Sequence, residues 1–237
     1  MAPLAKQLSI YRGVLEPLQT ADSVSGQVDE LYAMLQQHGD LPVILIGHSW
    51  GAWLSFMVAA AYPEPVKKLI LIGSGPFEAS YAGEIMPVRF SRLNQAERLR
   101  AETLMAALQE SNHPAENEIL AEFGQLMSKT DSFCPVAEEV GSQGEFQANI
   151  YRSVWLEAEA MRQSGELLKL GKKIGCPVVA IHGDYDPHPA AGVERPLLEI
   201  IKDFRFILLK DCGHEPWKER LARDRFYETL NGELENQ

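Results

Sequence analysis

The sequence predicts an α/β fold, a mainly parallel sheet flanked by helices with an inserted helical lid. Three observations carry this expectation. Short, largely apolar runs recur at 43–46, 69–72, 177–181 and 204–209, the first of them fully apolar and β-branched, the pattern of a parallel strand buried on both faces. Helix-patterned segments alternate with strand runs, as right-handed crossovers in a parallel sheet require. Residues 76–170 carry only helical patterns, and that stretch is too long for a structureless loop in a compact domain.

Taken in order, residues 7–14 (QLSIYRGV) alternate as a strand, with Gly13 at its end. Val24, Val28, Leu31 and Leu35 then fall at helical spacing behind Asp22 or Ser23 as N-cap, and His38-Gly39-Asp40 stops the helix. After the 43–46 strand, residues 52–62 read as a buried helix ended by Pro63 and Pro65. In the 76–170 region the helical patterns are 99–108, 115–127 and 148–161. Residues 217–230 close the chain as an amphipathic helix with Leu221, Phe226 and Leu230 on one face. The expected division is a sheet core from 1–75 and 171–237, with 76–170 as the lid.

Charge and cysteine usage narrow the function. The 237 residues carry 22 Lys plus Arg against 33 Asp plus Glu, a formal charge of −11, which argues against nucleic acid or an anionic membrane as partner. Cys134, Cys176 and Cys212 are far apart, without C-x-x-C spacing, so neither a zinc site nor a disulfide framework is expected. A reducing cytoplasm fits that usage. Residues 1–10 show no signal-peptide pattern, and no apolar run is long enough to span a bilayer.

The chemistry centres on Gly47-His48-Ser49-Trp50-Gly51, a G-x-S-x-G pentad. Alone the motif is common; between a buried strand and an apolar helix it is specific. Such a turn lifts the Ser49 hydroxyl above the sheet and aims a helix N-terminus at it. Gly47 and Gly51 are expected to leave room where side chains would clash. The Trp50 backbone N–H is the natural first oxyanion donor. Serine needs a general base steadied by a third group. The 177–181 strand runs into Asp184-Tyr185-Asp186, and the 204–209 strand into Gly213-His214, both at strand C-terminal ends where ligands gather.

With these motifs in the order Ser, Asp, His, the chain resembles the α/β-hydrolase fold superfamily, most of all its lidded esterase and peptidase-like members. The resemblance covers 40–75 and 175–230. It implies a G-x-x-D turn with Asp186 as the acid, Asp184 being the competitor, and His214 as the base. The implied activity is hydrolysis of an ester or amide in a small-molecule substrate, with no cofactor. Two alternatives stand beside it: a catalytically weakened binding protein, and a C–C hydrolase or lyase using the same triad.

Other residues have more ordinary readings. His38 and His113 are expected to be solvated, and His48 to pack or hydrogen-bond locally. His182, Asp184, Asp186 and His188 alternate like metal ligands, but Pro187 and Pro189 bend the segment, so no metal is expected. Trp50 is expected beside Ser49 and Trp53 in the core. Trp155 either caps the pocket or packs in the core. Ser49 also stands early for the family, and no loop after an earlier strand carries an H-G pair to supply a second oxyanion donor, since His38-Gly39 stops a helix. Three explanations are open: missing strands, a compact branch in which Gly13 to Leu18 supplies that donor, or a weakened relative. A short sheet has an open edge, so a homodimer across it is expected.

Overall fold

The computed structural model describes residues 1–109, 115–136 and 148–235. Four parallel strands form one sheet in the order β1 (Val43–His48), β2 (Val66–Ile72), β3 (Val178–Gly183) and β4 (Phe204–Leu209). Ile46 pairs with Ile70, Ile70 with Val179, and Val179 with Arg205, so one row crosses the whole sheet.

The 69–72 and 177–181 runs form the central strands because both faces are covered. Leu69, Leu71, Val178 and Ala180 face one core, which contains α2 (Val24–His38), α3 (Trp50–Ala61) and part of α9 (Ala191–Ile200). Ile70, Ile72, Val179 and Ile181 face the other, against α1 (Ala2–Leu8) and α10 (Arg223–Glu235). Burying each such side chain stabilises the fold by about 1.5–3 kcal/mol, and the strict alternation of faces fixes the register. Ser23 caps α2, accepting from the Gly26 N–H at 3.1 Å.

Between β2 and β3 the chain inserts α4 (Ile85–Ser91), α5 (Gln95–Gln109), α6 (Glu116–Asp131), α7 (Ala148–Gln163) and the short α8 (Glu166–Lys169). Leu93, Ala101 and Met127 give the first of these helices a small core of their own. Val154 and Ala158 of α7 join the main core instead. No helix among the described residues is long and apolar enough to cross a membrane.

Two expected elements are corrected. Residues 7–14 are not a strand: helix α1 occupies 2–8, and the chain then runs without strand or helix to residue 23. Leu4 and Leu8, one helical turn apart, bury against the α10 side of the sheet, whereas Ile10 and Tyr11 are 61% and 85% exposed. The closing helix starts at Arg223 rather than 217, after a short 3₁₀ turn at Pro216–Lys218. Leu221 therefore lies outside it and is exposed, while Phe226 and Leu230 are fully buried.

Candidate active site

The C-terminal end of each strand contributes one part of a single cluster. At the end of β1, Ser49 has φ 54° and ψ −118°, a strained conformation for a residue with a side chain. Its N–H donates to the Ile72 carbonyl at 3.1 Å, and its own carbonyl accepts from the Ala52 N–H at 3.0 Å, locking the turn onto β2 and α3. Gly47 is required here, since a Cβ on it would lie 2.1 Å from the Gly51 carbonyl oxygen. The expectation for Gly51 is corrected: a Cβ there would meet open space. Trp50 and Gly51 open α3, so their N–H groups have no partner inside the helix.

Beyond β3, Asp186 is buried, and its Oδ2 lies 2.7 Å from His214 Nδ1 in the loop beyond β4. Asp184 is exposed and accepts only the Cys212 N–H at 3.3 Å, so the geometry pairs His214 with Asp186 and not with its competitor. Ser49 Oγ makes no hydrogen bond to His214 among those of the described residues. Beyond β2, Gly73 has φ 50°, and a Cβ on it would come within 3.1 Å of His214 Nδ1 and 3.4 Å of Asp186 Oδ2. Sequence reasoning missed Gly73; its one visible signal is a glycine directly after a buried strand.

The remaining histidines divide sharply. His48 Nε2 donates to the His214 carbonyl at 3.0 Å, and its ring packs edge-on to Trp217, so it braces the loop locally as expected. His38 is exposed, and His113 lies outside the described residues. His188 was underrated by the sequence. Its Nδ1 lies 2.7 Å from Asp186 Oδ1, and its ring stacks on His214 with centroids 4.6 Å apart. Asp186, His188 and His214 thus bring ligand atoms within 4.8 Å of one another, the geometry of a possible metal cluster. Each imidazole Nδ1 is already satisfied by a different carboxylate oxygen, which accounts for the cluster without an ion. His182, by contrast, is buried with Nε2 on the His188 carbonyl at 2.8 Å.

Electrostatics follow from this packing. Burial alone would push the Asp186 carboxyl up, but His214 first, then His188 and His182, hold it well below the usual carboxylate range. Burial lowers His214, yet the Asp186 charge and hydrogen bond outweigh it, so its pKa is raised. Burial dominates at His188 and His48, and both are lowered.

The inserted helices are tied to the His214 loop. The His214 N–H donates to the Asp131 carbonyl at 2.9 Å, while the Asp131 carboxylate holds Arg89. Buried Glu219 accepts the N–H groups of Phe133, Cys134 and Gly213 at 2.8, 2.7 and 3.0 Å, joining the end of α6 to the His214 loop. Trp50 Nε1 donates to Gln27, Trp53 is core, and Trp155 stacks on Trp53. Leu15, Glu16 and Pro17 sit against Met34 and Leu35 near the C-terminal end of α2. Val24, at the opposite end of that helix, is roughly 16 Å away by helix rise, and Gln27 near that end is the residue that meets Trp50. Among the described residues, no hydrogen bond joins the 13–18 loop to the Ser49 turn.

A family model described as alpha/beta hydrolase fold matches residues 19–220. The chain belongs to the alpha/beta hydrolase fold family. Lipase LipV of Mycobacterium tuberculosis is 38% identical over 50 residues, which span 21% of this chain and 19% of that lipase. Among solved structures, VinJ is similar at 20% identity with a TM-score of 0.63, over 90% of this chain and 72% of that one. The proline iminopeptidase of Mycobacterium smegmatis is similar at 18% identity and a TM-score of 0.56, over 94% and 75%. A monoacylglycerol lipase of Paleococcus ferrophilus is similar at 16% identity and 0.54, over 91% and 76%. At such identities these likenesses speak for the alpha/beta hydrolase fold alone.

Proposed function

We propose that this protein is a serine hydrolase that cleaves an ester or amide of a small-molecule substrate through an acyl-enzyme. The observation that carries the reading is the 2.7 Å Asp186–His214 bond beside a serine held at φ 54°. Ser49 Oγ attacks the carbonyl carbon while His214 Nε2 takes the hydroxyl proton. Asp186 steadies the imidazolium without itself taking the proton. The Trp50 N–H, at the positive end of α3, stabilises the oxyanion. His214 returns its proton to the leaving group, and a water activated by the same imidazole then releases the acid. Ser49 rotates toward His214 when substrate enters, in keeping with the looser geometry of unliganded sites. The chemistry needs no diffusible cofactor.

In the same reading, residues 76–170 cover the site and select the substrate. The outer edge of β1 pairs with a second copy, and a clean monomer at micromolar concentration in size-exclusion chromatography would count against that dimer. The central test is labelling by a fluorophosphonate probe together with p-nitrophenyl ester turnover. Wild type should show both and Ser49→Ala neither; absence of both in wild type refutes the reading. A second reading, a ligand-binding protein that keeps the elbow without turnover, draws on the lack of a Ser49–His214 hydrogen bond. It predicts a folded wild-type protein that stays unlabelled.

A further inference from the structure

The geometry points to His188 as a positioning residue that holds the second oxygen of Asp186, so that the acid presents Oδ2 to His214. The side chain of Asp186 is fully buried, and a buried carboxylate must have its lone pairs met by donors. Residue 188 supplies two of them to Oδ1: its backbone N–H at 2.9 Å and its Nδ1–H at 2.7 Å. His214 supplies the donor to Oδ2 at 2.7 Å. His182 Nε2 is 3.6 Å from Oδ2 but spends its proton on the His188 carbonyl at 2.8 Å, which fixes the backbone of residue 188 from below. A carboxylate bonded on one oxygen alone could turn about its Cβ–Cγ bond; bonded on both, it cannot turn without breaking one set.

The carboxylate accepts only, so both imidazoles carry their proton on Nδ1 and leave Nε2 as an acceptor. That is the tautomer a general base needs at His214. Stacking at 4.6 Å further fixes the plane of the His214 ring. The charged and titratable groups facing His188 are Asp186 on its own loop, His214 from the β4 loop and Arg89 from α4, the last held by Asp131. Burial, Arg89 and His214 lower the pKa of His188, while Asp186 opposes them. His188 therefore stays neutral while His214 titrates, and acts as a hydrogen-bond donor rather than as a charge.

This inference rests on Asp186 and His214 being acid and base, so its test includes a readout that needs no turnover. Two variants separate donor from ring. His188→Phe keeps an aromatic ring and removes the donor; His188→Asn keeps a donor at the Nδ1 position and removes the ring. Proton NMR of the full chain follows the low-field His214 Nδ1–H resonance and the His214 titration. In His188→Phe the resonance moves or is lost, and the titration shifts upward because the carboxylate charge is no longer shared. In His188→Asn both stay near wild type. Where ester turnover is present, His188→Phe lowers kcat about 10- to 100-fold, the range for losing one hydrogen bond to a charged group, and leaves KM unchanged. His188→Phe with an unmoved resonance and titration would overturn the proposal, as would a folded His188→Asn that loses them. If wild type neither turns over esters nor labels with fluorophosphonate, the hydrolase reading fails while the NMR comparison still decides the role of His188.

Discussion

Replacing Gly73 by alanine asks how far the site depends on one missing methyl group. Gly73 closes β2 at φ 50°, with its N–H on the Ile181 carbonyl at 3.0 Å. An alanine there meets two costs. Left-handed backbone disfavours a residue with a Cβ by about 1–2 kcal/mol. The added Cβ would also lie 2.7 Å from the His214 carbonyl oxygen and 3.1 Å from His214 Nδ1, too close for either to stay in place. Forcing a methyl group into a packed site costs about 1–3 kcal/mol. The sum, about 2–5 kcal/mol, lowers the midpoint of thermal unfolding by roughly 5–15 °C in a chain of this size. The activity loss should be larger than stability alone explains, because the wedge acts on the Asp186–His214 pair. Displacements of this kind cost about 10- to 100-fold in rate. Differential scanning fluorimetry gives the first quantity; fluorophosphonate labelling, run well below the lowered midpoint, gives the second. A Gly73→Ala protein that melts and labels like wild type would refute the account of the site.

Five further outcomes follow from the structure. Asp186→Asn should keep the fold and lower turnover about 10⁴-fold through the wrong imidazole tautomer, checked by kcat alongside circular dichroism. Activity should rise with pH through a histidine ionisation raised from the ordinary histidine value, because the base must be neutral and Asp186 raises its pKa against the lowering by burial. The stability due to Asp186 runs in the same direction with pH but in a lower window. It is complete above the ordinary aspartate range and is lost only as pH falls through the depressed carboxyl, so acid inactivation should come first and acid unfolding at lower pH. Glu219→Gln removes the charge that three N–H groups share and should cost about 2–3 kcal/mol in urea unfolding. The Cys212 thiol, pushed up to about 12 by burial and by Glu219, Asp186 and Asp184, should resist thiol reagents at mildly alkaline pH until the chain is denatured.

What was legible in the sequence was local. The central strands β2 and β3 announce themselves as apolar runs because both of their faces are covered, and the edge strands β1 and β4 by runs that are only partly buried. Ser49 is marked by glycines within two residues of it, and Asp186 and His214 by the strand ends just before them. The failures share one cause, which is that the deciding partner is distant in the chain. QLSIYRGV alternates like a strand, yet it pairs with none of the described strands, and Leu4 and Leu8 instead meet Phe226 and Leu230 in one apolar cluster. Leu221 sits near enough to helical spacing with Phe226, but the turn at 216–218 delays the helix past it. His188 looked like a stray ligand because the histidine it stacks on comes from another loop. Gly73 carries no motif; its purpose is visible only once His214 and Asp186 have folded over it.

The strand that delivers Ser49 is also the border of the sheet. Val43–His48 is joined to β2 alone; Val43 and Ser49 direct their N–H groups to Pro65 and Ile72, and by alternation those of Ile44, Ile46 and His48 point outward. A border strand is held by one ladder, so its amides should exchange with solvent sooner than those of β2 and β3, which are clasped on both sides. Ser49 thus rests on the layer of the sheet most open to breathing, steadied from one face by α2 and α3. Anything that pairs with that border would stiffen the serine directly, across a single row of hydrogen bonds.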